Sequence, residues 1–434
     1  MSANLFYGTG IPACIVVIDK EKHKERDGIF MIDASRDFIK DGNKNRLRER
    51  DVYKITTVFN QRIELPKDSR FAPNSEIKAK NGYNLNIPRY IDSGAVEDLQ
   101  NIDGHLNGGI PNIDVDSLSL YWQTFPKLQA SLFKPLRKGF YSLAVEKDVI
   151  RDTIYNDVDF SAYAGIVKTA FENWKVQVDK DLRTISGKTK PKLLITEIAE
   201  QVLNEYESVK LIDKYDAYEV LLSYWNETMS DDIYLLVQDG YKSIRDIEVF
   251  TKTTIKKKKD GTEEKKTTET GWDGKLVPKA LVIEMFFSAD QKAINDAETA
   301  FAEMQVALDE LLEIDEDADE ASDEGDEKSI KKLQKEVKEK AKIIKGLRAN
   351  LDRKTREHYV KLTNDQCLEL LLERKWYCSL ENGINTLYTA VSHRIADRVT
   401  ELADRYGQTL PVLENEVVEL EGKVKSHLER MGFV

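Results

Sequence analysis

The chain has 434 residues, 33% of them charged, and a formal net charge of -12. Its length predicts roughly two to four domains, and its acidity excludes a broad counterion-release attraction to nucleic acid. Hydrophobic residues reach 41%, enough for real cores, yet no stretch approaches the about 20 consecutive apolar residues of a membrane span. Cys14, Cys367 and Cys378 are too few and too scattered for a disulfide framework or a metal site. The first apolar run follows a polar start without a basic flank, so the expected compartment is the cytoplasm.

The polar loop that begins at Asn4 runs into Ala13, Cys14, Ile15, Val16, Val17 and Ile18, which are apolar without alternation. That pattern predicts a strand covered on both faces in an α/β sheet. Ile29 to Ala34 predicts a neighbouring strand across the charged turn Asp19 to Asp27, and a two-stranded ribbon alone is marginal in water. Asn45 to Asn60 reads as a helix with Leu47, Val52, Ile55, Val58 and Phe59 on its buried stripe and Arg46, Arg48, Arg50 and Lys54 largely outside it. In Asn81 to Tyr90 an Asn-Gly turn precedes an extended segment in which Tyr83, Leu85 and Ile87 alternate with Asn84, Asn86 and Pro88.

Asn101 to Asp116 is rich in Gly, Asn and Asp and reads as a linker. Leu118, Tyr121, Trp122, Phe125 and Leu128 then recur at helical spacing as core. Long amphipathic helices are expected over Phe160 to Asp179 and Leu193 to Glu207. Between them Gly187-Lys188-Thr189 is a turn and no phosphate loop, because the first glycine of that motif would fall on Leu182. Asp216 to Asp239 is the densest apolar block, and its Asp231-Asp232 pair is expected to favour a helix start over a metal. Thr251 to Gly274 reads as a solvated hairpin or a disordered insert. Ile294 to Leu311 and Ile330 to Leu351 carry coiled-coil spacing on either side of the acidic run Glu313 to Glu327, predicting an antiparallel helical hairpin with a mobile acidic tip. Last, Leu413, Val417, Leu420, Val424, Leu428 and Met431 mark one apolar seam on an otherwise charged helix capped at Thr409.

The blocks Asn4 to Lys20, Phe30 to Ile55, Asn81 to Asp92, Tyr215 to Tyr241, Val277 to Phe287 and Leu410 to Phe433 together resemble the methylation subunit of type I restriction-modification systems, an adenine-specific DNA methyltransferase. The resemblance implies transfer of a methyl group from S-adenosylmethionine to adenine N6, with the base flipped out of the duplex. The family's glycine motif and its Asn-Pro-Pro-Phe motif lie upstream of the Asn4 loop and do not occur here. The chain therefore reads as a C-terminal portion, inactive alone, with no catalytic, cofactor-binding or metal residue of its own. Asn4, Phe6, Tyr7, Gly8 and Gly10, with Asn84, Asn86 and Arg89, are the residues expected near the target base or DNA.

The expected architecture is mainly α with a small α/β part: an edge fragment of a Rossmann-like sheet (1–100), a helical domain (101–288), the helical hairpin (289–352) and C-terminal helices for subunit contact (353–434). The resemblance implies as partners a DNA-specificity subunit docked on the C-terminal seam, an N-terminal methyltransferase portion, a second methylation subunit, a restriction subunit, and double-stranded DNA through the complex. A rival from another class is a non-enzymatic helical interaction or scaffold protein derived from such a subunit.

Overall fold

The computed structural model describes residues 1–21, 23–94, 99–257, 263–316 and 324–433. They form a mainly helical protein with short antiparallel sheets, and two compact units divide the chain: Met1–Val178, Ile195–Asn226 and Leu380–Val434 in one, Asp179–Leu194 and Glu227–Ser379 in the other.

The first unit departs from expectation at its start. Ala13 to Ile18 form no strand, and Ile15, Val16, Val17 and Ile18 are 67%, 75%, 62% and 83% exposed. Among the described residues nothing pairs with their backbone in a ladder, and a strand exists only through its partner. The strand β1 (Gly28–Ile32) instead pairs antiparallel with β4 (Ser69–Pro73), after the hairpin of β2 (Ile39–Asp41) and β3 (Lys44–Arg46) and the helix α1 (Glu49–Gln61). No Rossmann-like parallel sheet is present among the described residues; all strand pairs are antiparallel. Met31 of β1 and Ala72 of β4 close a small core with Ile77 of α2 (Asn74–Ala79), Tyr90 and Ile91.

Helix α1 keeps only part of its expected stripe, since Val58 is buried while Val52 and Phe59 are half exposed. The cations expected outside do the fastening. Arg50 pairs with Asp216, its backbone N–H donates to Glu219 at 2.9 Å, and Lys54 lies 3.1 Å from Asp68. Asp51 is 1% exposed and accepts 2.9 Å hydrogen bonds from the Arg48 side chain and backbone. Burial pushes the Asp51 carboxyl up, but these bonds and the charges of Arg48 and Arg50 outweigh it and hold it below the usual value. A lowered folded value means stability present above the ordinary carboxylate range and lost as pH falls through the folded value. Asp51→Ala is expected to cost about 1–3 kcal/mol at neutral pH, with the difference from wild type shrinking in urea melts taken below pH ~4.

The stretch read as a linker is packed structure: α3 (Ile102–Asn107), β5 (Ile110–Pro111) and α4 (Asn112–Asp116), with Ile110 and Val115 buried. Gly109, at φ 97°, supplies a backbone conformation closed to side chains. α5 (Ser119–Thr124), α6 (Leu128–Leu132), β6 (Phe133–Arg137), β7 (Phe140–Leu143) and α7 (Ile150–Tyr155) follow. The aromatic stripe is core, as its spacing predicts: Phe125 meets Phe160 and Tyr163 edge-on. The long helices are α8 (Val158–Arg183) and α9 (Pro191–Tyr206), and the Trp174 Nε1 donates to the Ile198 carbonyl at 2.9 Å. α10 (Lys214–Tyr224) completes this part.

A π-helical turn, Trp225–Met229, carries the chain into the second unit and leads into α11 (Ser230–Asp239), so Asp232 caps no free helix end. It is 5% exposed and accepts hydrogen bonds from Lys375 Nζ at 2.5 Å and Trp376 Nε1 at 2.9 Å. The predicted hairpin is β8 (Ile247–Lys257) and β9 (Glu263–Gly274), paired from Ile247↔Gly274 to Lys257↔Glu263; its Asp-Gly centre lies outside the described residues. After α12 (Lys279–Phe286), α13 (Ser288–Glu316) and α14 (Glu324–Tyr359) run antiparallel, as the pairs Asp290–Lys354 and Glu298–Arg348 require. The centre of the acidic run, 317–323, lies outside the described residues. α15 (Asn364–Leu368) begins in a capping box of Thr363 and Gln366 and passes into a second π segment, Glu369–Tyr377. α16 (Cys378–Tyr406) returns to the first unit, which ends in α17 (Leu410–Arg430). No described helix is long and apolar enough to cross a membrane.

Candidate functional site

The N-terminal loop is held at its base and open at its tip. The Asn45 backbone N–H donates to the Asn4 carbonyl at 3.0 Å and its side-chain amide to the Ala3 carbonyl at 2.7 Å, while the N-terminal amine reaches the Ala13 carbonyl at 3.1 Å. Asn4 and Gly8 take positive φ, 54° and 79°, which turn the chain sharply between them. A side chain at Gly10 would press on the Asn4 amide oxygen, so these two positions are packed against each other. Phe6 and Tyr7 project into solvent, and Lys44 Nζ stands 3.0 Å from the centre of the Tyr7 ring.

Asn84, Asn86 and Arg89 sit on a separate exposed loop. The Asn84 side chain accepts from the Asn86 N–H at 2.9 Å, its carbonyl accepts from the Tyr90 hydroxyl at 2.6 Å, and Ile87 packs on the small core. The extended segment is therefore a loop with a short turn of 3-10 helix, Ile87–Arg89. The described hydrogen bonds join Ala3 and Asn4 to β3 and leave Asn84, Asn86 and Arg89 on their own loop.

The third element is α17. Thr409 stands at its cap position with extended backbone, but its side chain bonds no helix N–H. Leu413, Val417, Leu420, Val424, Leu428 and Met431 share one face, and all are exposed, from 39% at Leu428 to 69% at Met431. Val417, Leu420, Val424 and Leu428 line an apolar groove edged by Glu421 and Lys425. A contiguous apolar strip of this kind on a charged helix is the signature of a contact surface.

Sequence reading passed over the fastening set of Arg50, Asp51, Asp216 and Glu219 and the buried set of Asp232, Lys375 and Trp376. The signal the sequence held was the three-residue spacing of Arg48 and Asp51, which suits a capping contact between the N-cap residue and the N3 carboxylate. Neither set is a reaction centre, since each carboxylate is already taken by its cations and donors. No group of His, Cys, Asp and Glu able to hold a metal occurs among the described residues.

These features define a mainly helical chain with a small α/β segment at its N-terminus and, towards its C-terminus, a charged helix that carries an exposed apolar strip. Residues 1–99 match the family model for N-6 DNA methylase. The chain is also similar to the methylase subunit of the type I restriction enzyme MpnII of Mycoplasma pneumoniae, 33% identical over 95 residues, and to that of MjaVII of Methanocaldococcus jannaschii, 36% identical over 103 residues. These alignments cover 22% and 23% of this chain, which spans only 17% of either relative's length. No solved structure matches the chain. Residues 1–99 are thus similar to the N-6 DNA methylase family, and about a fifth of the chain is similar to type I methylase subunits.

Enzymes of this family use S-adenosylmethionine. The described residues do not fit that group: β1 leads into a turn and the β2–β3 hairpin, with no glycine-rich turn opening a helix N-terminus among the described residues, and the Asn4 to Gly10 loop is open to solvent. No chemical step through the cofactor follows from this chain's own geometry.

Proposed function

We propose that this chain is the part of a type I methylation subunit that closes the edge of the methyltransferase domain and carries its subunit contacts. The complete enzyme transfers a methyl group from S-adenosylmethionine to adenine N6 in double-stranded DNA. The single observation that carries this reading is the family match over residues 1–99. Within that segment the exposed run Ile15 to Ile18 has the composition of a buried strand, which suits pairing with an N-terminal methyltransferase portion. Asn4, Phe6, Tyr7, Gly8 and Gly10 then lie at the rim of the target-base pocket, with Asn84, Asn86 and Arg89 towards the DNA. Residues 101–288 form the helical body, 289–352 the hairpin, and 353–434 the docking helices, of which α17 takes the specificity subunit. A second methylation subunit and a restriction subunit complete the assembly.

The reading is tested by reconstitution. The chain alone is expected to bind no S-adenosylmethionine in calorimetry and to transfer no methyl group to DNA, because no glycine turn seats the cofactor. Mixed with an N-terminal methyltransferase fragment and a specificity subunit, it is expected to restore transfer to adenine. Micromolar cofactor binding by the isolated chain, or no transfer by the mixture with all components folded, overturns it.

A further inference from the structure

The two helices of the α13–α14 hairpin are electrically opposite. α13 carries nine Asp and Glu against one Lys, whereas Lys331 to Arg356 of α14 carries eleven Lys and Arg against three Asp and Glu. The basic side chains are not scattered. Lys331, Lys335, Lys338, Lys342 and Lys345 follow a 4,3,4,3 spacing and are all exposed. With about 100° of turn per residue, and Ile344 of the packed seam set at zero, they fall between roughly 100° and 180°. They therefore form a stripe on the side of the helix turned away from α13, while Glu336 and Glu339 fall on the far flank, at about 280° and 220°.

Ordinary surface lysines on a helix pair with acids one turn away. Other cations of this helix do so: Lys332 pairs with Glu336 and Arg353 with Glu357, while Arg356 reaches Glu269 of β9. Lys335, Lys338, Lys342 and Lys345 have no ion pair or hydrogen bond among the described residues, although Glu339 is near enough in sequence to serve. The stripe from Lys331 to Lys345 is about 21 Å long on one straight helix. Over that length a DNA duplex presents a phosphate charge about every 1.7 Å of axis.

We propose that the lysine stripe Lys331, Lys335, Lys338, Lys342 and Lys345 of α14 is a track for the phosphate backbone of double-stranded DNA, binding without regard to sequence. The choice of DNA among polyanions rests on the proposed function above; the track itself rests on the stripe. The net acidity of the chain does not cancel it, because at about 0.1 M salt a charge is felt only within about 10 Å, and the acids of α13 lie across the seam. Lysines at one-turn intervals contact phosphate as point charges and carry no base readout. The track thus holds flanking duplex while other subunits read the site.

The test uses the full chain and a fluorescent duplex of about 30 base pairs and arbitrary sequence, followed by anisotropy between about 50 and 200 mM salt. Changing Lys335, Lys338, Lys342 and Lys345 together to Gln is expected to weaken binding at least tenfold and to make the salt slope shallower by about 3 to 4, near 0.9 per lost phosphate contact. The same four positions changed to Arg keep affinity and slope. Melting of both variants matches wild type, since no native contact is lost. Unchanged affinity in the Gln variant, or no binding by the wild-type chain, overturns the track. If the Gln variant instead loses self-association in sedimentation while binding DNA normally, the stripe serves the acidic α13 of a second copy and the proposal is wrong. Co-purification of the Gln variant with the specificity subunit, scored separately, shows whether the proposed function stands when the track does not.

Discussion

Leu420→Lys and Val424→Lys, made together, are expected to abolish co-purification with the specificity subunit and to leave the melting of this chain unchanged. Both side chains are 58% exposed and help line the apolar groove of α17, so the free chain loses little buried area when they are replaced. In the proposed complex the same positions are covered, and burying two unpaired ammonium groups there would cost several kcal/mol each. That exceeds the tolerance of a helix-in-groove contact, where a few anchors carry most of the energy. The pull-down reads association and circular dichroism reads the fold. A variant that unfolds makes the helix part of its own core, and a folded variant that still binds moves the contact off this seam.

The second large effect lies in the other unit. Lys375→Met is expected to destabilise the protein by about 3–5 kcal/mol, because it leaves the Asp232 carboxylate buried with only Trp376 as donor. Burial already raises Asp232 above its usual value against the pull of Lys375, and Asp231 adds to the rise. Without Lys375 the rise is larger, so the folded variant takes up the proton. A raised folded value means stability present below the ordinary carboxylate range and lost as pH rises through the folded value. The deficit is therefore greatest near neutrality and narrows towards pH ~4, and urea denaturation across that range measures it. Changing Asp232 to Leu in the same chain is expected to recover much of the loss, since an apolar pair of similar volume often replaces a buried ion pair at little cost. A single-variant deficit below about 1 kcal/mol, flat with pH, would place the ion pair among contributions that solvent already supplies.

Much of the helical body was legible because it is periodic. Phe160 to Asp179, Leu193 to Glu207, both arms of the hairpin and the C-terminal seam each repeat apolar residues at helical spacing, and a helix satisfies its own backbone, so local pattern alone specifies it. The exposed seam of α17 was visible for the same reason: a charged helix with one apolar strip announces a contact before its partner is known. The resemblance, too, was legible: of the blocks that carry it, Asn4 to Lys20, Phe30 to Ile55 and Asn81 to Asp92 fall within residues 1–99, which match the N-6 DNA methylase model, and the later blocks fall outside that match.

Tertiary structure decided what depends on a second segment. Ala13 to Ile18 has the composition of a buried strand and is neither buried nor a strand here, because a ladder needs a neighbour that composition cannot supply. β1 found Ser69–Pro73 as its partner, some forty positions on, through a core closed by Met31, Ala72 and Tyr90. The glycine-rich stretch from Asn101 looked like a linker, yet Ile110 and Val115 carry it into the core of its unit. Asp232 resembled a helix-start residue until Lys375, 143 positions away in sequence, proved to be its counter-charge. Periodicity is a property of one segment and can be read from it; strand pairing and buried charge are properties of two, and only the folded chain brings the second one in.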